Sequence, residues 1–420
     1  MILLCEMADE QLDLDEIDSV YYKVLRKIFF QIFRRNDEGF VVRKTLKIIC
    51  LGFAFSLMSC YVSIQAFHWN LIEDFTQRMI NLALIINVLS IIIRFIVFCS
   101  LTDEMESLFL NFETFHCNQH RPLYSIKVLN EAYKKTLNVD FWASTFFAVN
   151  VFNWFIFPIF ANKVMLNLIT GQNVTYEEWL ANLPTSFSFE VQNPWKEIRY
   201  LFEFIEATVA NLVWLTSDVI YYAIVNMLKT QLTLLGESII RKENDSVDKL
   251  EPLSYKHFVQ DHNQLIRVCR TLERILSPVL GAQLMTTGVL LGGILLTITS
   301  GPENDVADMS GYAVFYAKFL VYMMIALLEL YLYCWLSDIT NTAYVDIGKA
   351  VYNSEWYMRL DADARNSLLT LKITQKGINI TALKMVKIDL RTFIESNFSL
   401  TILDNPPSLL KRHWPRDLRV

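Results

Sequence analysis

The sequence predicts an all-α membrane protein: seven transmembrane helices, the amino terminus cytosolic, the carboxyl terminus extracellular, and a cytosolic helical anchor formed by the ends of spans four to seven. Three observations predict it. Long apolar runs recur with few charges, lysine and arginine gather in alternate loops, and an aromatic and leucine-rich stretch comes after the sixth run. With 53% hydrophobic and 20% charged residues in 420, the chain is too apolar for soluble domains of that size.

A helix rises about 1.5 Å per residue, so about 20 apolar residues cross a hydrocarbon core about 30 Å thick. Two runs, 141–161 and 275–300, carry no charge at all. Four more, 46–67, 79–101, 207–228 and 312–336, tolerate one or two. Their isolated charges divide by depth. Arg94 and Lys318 sit where long side chains reach the interface by snorkelling, whereas Asp218 and Glu329 lie deeper and either pair between helices or face water.

The next segment opens with "VYNSEWYMRLDADAR" and is rich in helix formers, and an anchor helix is expected over 347–373. Tyr352 and Trp356 stand at i and i+4, with Leu360 one turn further, so a single helix would present them on one face. The seventh span is expected at 381–404. Its Lys384, Lys387, Arg391 and Glu395 fall at i, i+3, i+7 and i+11, a wet stripe beside the apolar stripe of Leu383, Val386, Leu390 and Ile394. Such a helix suits a water-filled path, because a charge facing lipid costs several kcal/mol, on the order of 3. Residues 405–420 form an extracellular tail, and 1–380 form one receptor body without repeats or linkers.

Orientation comes from the positive-inside rule. With the amino terminus inside, the cytosolic parts hold 25 Lys and Arg and the outer parts 8. The opening "MILLCEMADEQLDLDEID" is too acidic and its apolar run too short for a signal peptide, so the first span is expected to direct insertion. None of the seven cysteines falls in an outer loop, so no extracellular disulfide is expected. Asn173, in "NVT", is a glycosylation candidate on an outer loop, unlike the sequons at Asn244, Asn379 and Asn397.

Chemistry-bearing motifs are missing. There is no Gly-rich phosphate loop and no nucleophile elbow, and His116 with His120 lacks the further ligands of a metal site. No enzyme, cofactor or metal is expected. The net charge of −6 and the lack of a basic tract exclude nucleic acid as a partner.

Five stretches together resemble a known family. They are "VYNSEWY" (351–357), "LLTLKITQKGINITALKM" (368–385), "LRTF" (390–393), "NFSLTIL" (397–403) and the outer-loop "EEWLANLPTSFSFEVQNPWKEIRY" (177–200). Their order is similar to that of the insect odorant receptors. The sequence departs from the family pattern in its last helix, which carries Lys384 and Lys387 where fewer charges stand, and in a longer tail.

The resemblance implies an odorant-gated, non-selective cation channel in the plasma membrane of a sensory dendrite, four subunits around one pore. Its partners would be membrane lipid, a small volatile ligand and a shared co-receptor. Because the loop from Lys229 to Arg274 lacks the co-receptor's long insertion, the chain resembles the tuning subunit. It also implies a ligand pocket in the outer halves of spans two, three, four and six. The candidates are Ile80, Leu84 and Asn87; Phe147, Asn150, Val151, Trp154 and Phe155; Ile205 and Thr208; and Tyr316, Phe319, Leu320 and Met323. Aromatics and methionines with a few polar atoms suit small apolar guests. Asn397, Leu400, Thr401 and Asp404 are the implied pore residues, and Tyr352, Trp356, Leu360, Leu369 and Ile373 the implied subunit anchor.

Two alternatives share the seven-span count. A G-protein-coupled receptor would carry the opposite charge bias and usually a disulfide to its second outer loop; a gustatory-type channel would carry a Thr-Tyr ahead of a Gln-Phe in the last span, which "RTFIESNFS" lacks. A transporter would show inverted halves or paired broken helices. The charge bias gives a direct test. An epitope tag at residue 2 is expected to stain only permeabilised cells, and one after Gly171 to stain intact cells; the opposite staining reverses the orientation.

Overall fold

The computed structural model describes residues 40–69, 75–152, 195–240, 253–300, 309–354, 356–358, 361–392 and 394. Six long helices dominate: α1 (Phe40–His68), α2 (Phe75–Ser100), α5 (Pro122–Val151), α6 (Trp195–Ser238), α7 (Tyr255–Ser300) and α8 (Met309–Asn353). Between α2 and α5 lie the short α3 (Thr102–Glu113) and α4 (His116–His120). After α8 come a 3-10 turn (Trp356–Met358), α9 (Asp361–Thr374) and a two-stranded hairpin, β1 (Thr381–Ala382) and β2 (Val386–Lys387).

Each of the first six expected spans begins or ends inside a longer helix. The 44, 46 and 45 residues of α6, α7 and α8 would each extend roughly 66–69 Å, about twice the hydrocarbon thickness. Four helical segments among the described residues, Asn81–Ser100, Ile198–Ser238, Tyr255–Gly293 and Met323–Asn353, are long and apolar enough to cross a membrane, and Leu51–Phe67 is a shorter apolar helix. The chain is therefore an all-α membrane protein. Residues 153–161, the second half of the expected third span, lie outside the described residues.

Packing divides the bundle along its length. Where α3 and α4 pack on α7 and α4 also meets α6, here called the basal end, lies a large core containing Phe112, Phe115, Leu129, Leu232, Leu235, Phe258, Leu265, Tyr344 and Ile347, all buried. A second, smaller cluster joins Met58 and Tyr61 of α1 to Val88 and Ile91 of α2 and Ala210 of α6. Rings tie the basal core across helices: His262 lies between Phe258, one turn earlier on α7, and Tyr344 of α8, at centroid distances of 6.1 and 5.6 Å. The Asp261 carboxylate accepts the backbone N–H groups of His116 (3.0 Å) and Cys117 (2.8 Å), fixing the start of α4. Beside it, burial pushes the Cys117 thiol well above its usual range.

The expected single helix over 347–373 is broken in two. α8 ends at Asn353, and Ser354 folds back so that its N–H and hydroxyl both bond the Val351 carbonyl (3.2 and 2.7 Å). Asn and Ser compete with the helix through such local bonds, and the acid-rich "DADAR" favours a fresh helix start, where α9 begins. Tyr352 and Trp356 therefore do not share one helical face. Tyr352 is exposed, Trp356 is half-buried, and Leu360 lies outside the described residues. α9 ends at Thr374, and the turn that follows closes at Gly377, whose φ of 67° is a left-handed conformation that glycine adopts freely and whose N–H bonds the Thr374 carbonyl at 3.0 Å. The next N–H, from Ile378, bonds the Asn341 side chain on α8 at 2.9 Å.

The expected helix over 381–404 is also corrected. Thr381 pairs with Lys387 and Ala382 with Val386, and the Met385 N–H closes the turn on the Ala382 carbonyl at 3.0 Å. Leu383 and Lys384 at the tip have φ of 51° and 58°, as in a type I′ hairpin turn. Helix resumes only at Leu390, after Asp389, whose carboxylate accepts the Thr392 N–H at 2.8 Å and pairs with Lys387 at 3.1 Å. Burial pushes the Asp389 carboxyl up, but the Thr392 and Lys387 donors outweigh it and hold the group below its ordinary value. Lys384 and Lys387 thus stand in the hairpin rather than in a helical stripe.

The hairpin docks on α7. The Leu383 N–H donates to the Ser277 carbonyl (3.1 Å) and the Lys384 N–H to the Ser277 hydroxyl (3.2 Å), next to Pro278 within the helix. Gly281 leaves the space that the Leu383 side chain fills, since a Cβ there would collide with Leu383. Gly281→Ala is therefore expected to destabilise the chain by about 1–3 kcal/mol. Adding Leu383→Ala should recover much of the loss, a coupling that melting curves of both single variants and the double variant would measure.

Candidate functional site

One charged side chain organises the middle of the bundle. Arg94, on α2, is 1% exposed. Its Nη1 donates to Asp218 Oδ1 (2.8 Å) and Ser217 Oγ (3.2 Å) on α6. Its Nη2 donates to Glu329 Oε1 on α8 (2.6 Å) and to Gln283 Oε1 on α7. Trp214 Nε1 (2.7 Å) and Gln283 Nε2 (2.6 Å) complete the Glu329 carboxylate. The Tyr333 hydroxyl donates to Asp218 Oδ1, and its ring lies 5.9 Å from the guanidinium carbon. Four helices are thus joined through one planar fork of donors, a geometry that a lysine ammonium could not reproduce.

This overturns the expectation that Arg94 snorkels to the interface. Its position in α2 faces three neighbouring helices that each supply an acceptor, so pairing replaces solvation. The alternative raised for Asp218 and Glu329 resolves toward pairing between helices.

Against this cluster lies a cavity of about 360 Å³ between α5, α6 and α8, within the range of small-molecule pockets. Val139, Trp142 and Phe147 wall it on α5; Trp214, Leu215, Val219 and Tyr222 on α6; Ile325, Leu328 and Leu332 on α8. Its polar contributions come from Asn211, Asp218, Glu329 and Tyr333.

Of the residues expected at a ligand pocket, Phe147 lines this cavity. Leu84, Asn87, Thr208 and Met323 are half-buried, while Ile205 and Leu320 are exposed. The Thr208 hydroxyl is turned to the Phe204 carbonyl at 2.7 Å. Ile80, Asn150, Val151, Tyr316 and Phe319 stand on α2, α5 and α8, but their side chains lie outside the described residues. So do Trp154, Phe155, Asn173 and the pore candidates Asn397, Leu400, Thr401 and Asp404. The cavity is displaced along α6 and α8, from the Ile205/Thr208 and Leu320/Met323 levels toward the basal end. The signal that marks it in the sequence is charge complementarity: one span offers a lone Arg and two others a lone acid at mid-depth.

A polytopic helical bundle with a largely apolar cavity among its membrane-length helices is the architecture of a multi-pass membrane protein. The sequence profile of the 7tm Odorant receptor family matches residues 74–396, and the chain belongs to that family. Among relatives, it is 24% identical to odorant receptor 13a of Drosophila melanogaster over 226 residues, 49% of this chain and 52% of that one. It is 25% identical to odorant receptor 33a of the same fly over 232 residues, 53% and 56% of the two chains. The chain thus spans about half the length of the relatives it matches. Its fold is similar to that of the insect olfactory receptor OR5 from Machilis hrabei, with a TM-score of 0.72 at 14% identity over 92% of this chain and 96% of that one. A structure of the same receptor in complex with eugenol matches with TM-score 0.72 at 15% identity, covering 94% and 97%.

Removing one partner from a buried ion cluster leaves uncompensated charge and costs about 3–5 kcal/mol. Arg94→Gln is accordingly expected to lose most of the folded chain in detergent, measured by thermal melting and size-exclusion profile. Adding Asp218→Asn and Glu329→Gln, which removes the orphaned charges, should restore much of the melting temperature.

Proposed function

We propose that the chain is the odorant-binding subunit of a ligand-gated, non-selective cation channel, assembled as a tetramer with a co-receptor in the plasma membrane of a sensory dendrite. The observation that carries this reading is the family match over residues 74–396, joined to an apolar cavity at membrane depth. The basal end is cytosolic in this reading, and the helix resuming at Leu390 is the seventh span, lining the pore through Asn397, Leu400, Thr401 and Asp404. Asn173 is then extracellular and open to glycosylation. Odorant enters the outer halves of α2, α5, α6 and α8, with Phe147 common to that site and the described cavity.

Subunit contact falls to the basal end. Leu368, Leu369 and Ile373 on α9, with Tyr357 and Met358 in the turn before it, are 45–77% exposed, a cluster of apolar surface on a segment too polar to lie in lipid. Large exposed apolar patches mark interaction sites. In this reading Leu369 and Ile373 are anchor residues, and the exposed Tyr352 and half-buried Trp356 precede them in the chain.

Calcium entry across an odorant panel tests the whole reading. Cells expressing the chain with the co-receptor should respond to at least one volatile compound, and cells expressing either chain alone should not. Leu369→Glu should abolish co-purification with the co-receptor at an unchanged melting temperature of the lone chain. Retained co-purification would place the interface elsewhere.

A further inference from the structure

We infer that the cavity between α5, α6 and α8 is a lateral binding site for small amphiphiles with an apolar body and a single hydrogen-bond-donating head, an alcohol or a primary amine, which the Asp218 carboxylate receives. The ligand's size class rests on the proposed receptor function; the geometry of the site is independent of channel activity.

Three features lead to it. First, the mouth opens sideways. Trp142, Leu328 and Leu332 line the cavity yet are 60%, 42% and 38% exposed, so the entrance is on the apolar flank of the bundle at membrane depth. A guest dissolved in the hydrocarbon reaches it without passing through water. Second, the walls are almost wholly apolar, with ring faces from Phe147 and Trp214, which favour a body that is aliphatic or aromatic and uncharged.

Third, the Asp218 carboxylate offers the polar floor an unused acceptor. Both Glu329 oxygens are occupied, Oε1 by Arg94 and Trp214 and Oε2 by Gln283. Asp218 gives Oδ1 to Arg94 and Tyr333, while Oδ2 has no hydrogen-bond partner among the described residues. Its side chain is 29% exposed, against 1% for Arg94 and 7% for Glu329. The cluster also pairs one guanidinium with two carboxylates, so in its ionised form it carries a surplus negative charge that a donor head offsets. An acceptor-only guest can make no bond to that carboxylate, and a site built for a donor disfavours an analogue lacking it.

The test is ligand-dependent thermal stabilisation of the full chain in lipid nanodiscs, with 1-hexanol, hexylamine and 1-methoxypentane, three amphiphiles of equal size of which only the ether lacks a donor. Hexanol and hexylamine are expected to half-saturate at about tenfold lower concentration than the ether. Leu332→Trp, which fills the cavity without touching the charged cluster, should remove the response to all three. Equal potency of ether and alcohol, no stabilisation of the wild-type chain, or a response that survives Leu332→Trp would each overturn the inference. Because the readout is binding, a chain that binds hexanol in nanodiscs but gives no calcium signal with the co-receptor would sink the channel reading and leave this site standing.

Discussion

The arrangement of the bundle depends on Arg94. A guanidinium buried in a membrane protein is tolerated only where acceptors surround it, and here α6, α7 and α8 each supply one. The requirement runs in both directions: Asp218 and Glu329 could not sit at this depth without the cation. Lipid offers no hydrophobic force to bring spans together, so the rotation of α2 against three neighbours is set by this fork of directional bonds. The small apolar cluster around Met58 and Val88 does not impose the same geometric uniqueness.

Placing these charges also creates the cavity beside them. Trp214 turns its ring nitrogen to Glu329 and Tyr333 its hydroxyl to Asp218, so two large side chains are held by polar contacts and do not collapse into the space between α5, α6 and α8. The walls that remain are apolar because they belong to membrane helices. Structural polarity and a ligand-sized void therefore arise from the same few residues.

The membrane-length cores of α2, α6, α7 and α8 are legible in sequence because a nearly uncharged run of about 20 residues has few other uses. Helix continuity is not. Nothing in the apolar run 207–228 says that α6 continues to Ser238, since that extension is decided by contacts with α4 and α7 in the basal core. The stripe of charges around Lys384 misled for a related reason. A helical period in four charges fits a hairpin equally well when the segment is short, and the deciding facts were the two left-handed residues at its tip and the pocket left by Gly281. Arg94 was misread because depth along one span was considered without its partners. The cavity was only touched, at Phe147, because a void is a property of three helices together and has no signature in any one of them.

The uninterrupted length of α6 and α8 gives the molecule leverage. From Asp218 to Ser238 is about 30 Å of helix, and from Glu329 to Asn353 about 36 Å, at 1.5 Å per residue. With the Arg94 layer as fulcrum, a tilt of about 5° would sweep the far ends through about 3 Å. A displacement of that size is more than half a helical turn, made without bending a rod or breaking a backbone bond. The Leu383 hairpin, clasped to α7 at Ser277, leads directly into the helix that starts at Leu390.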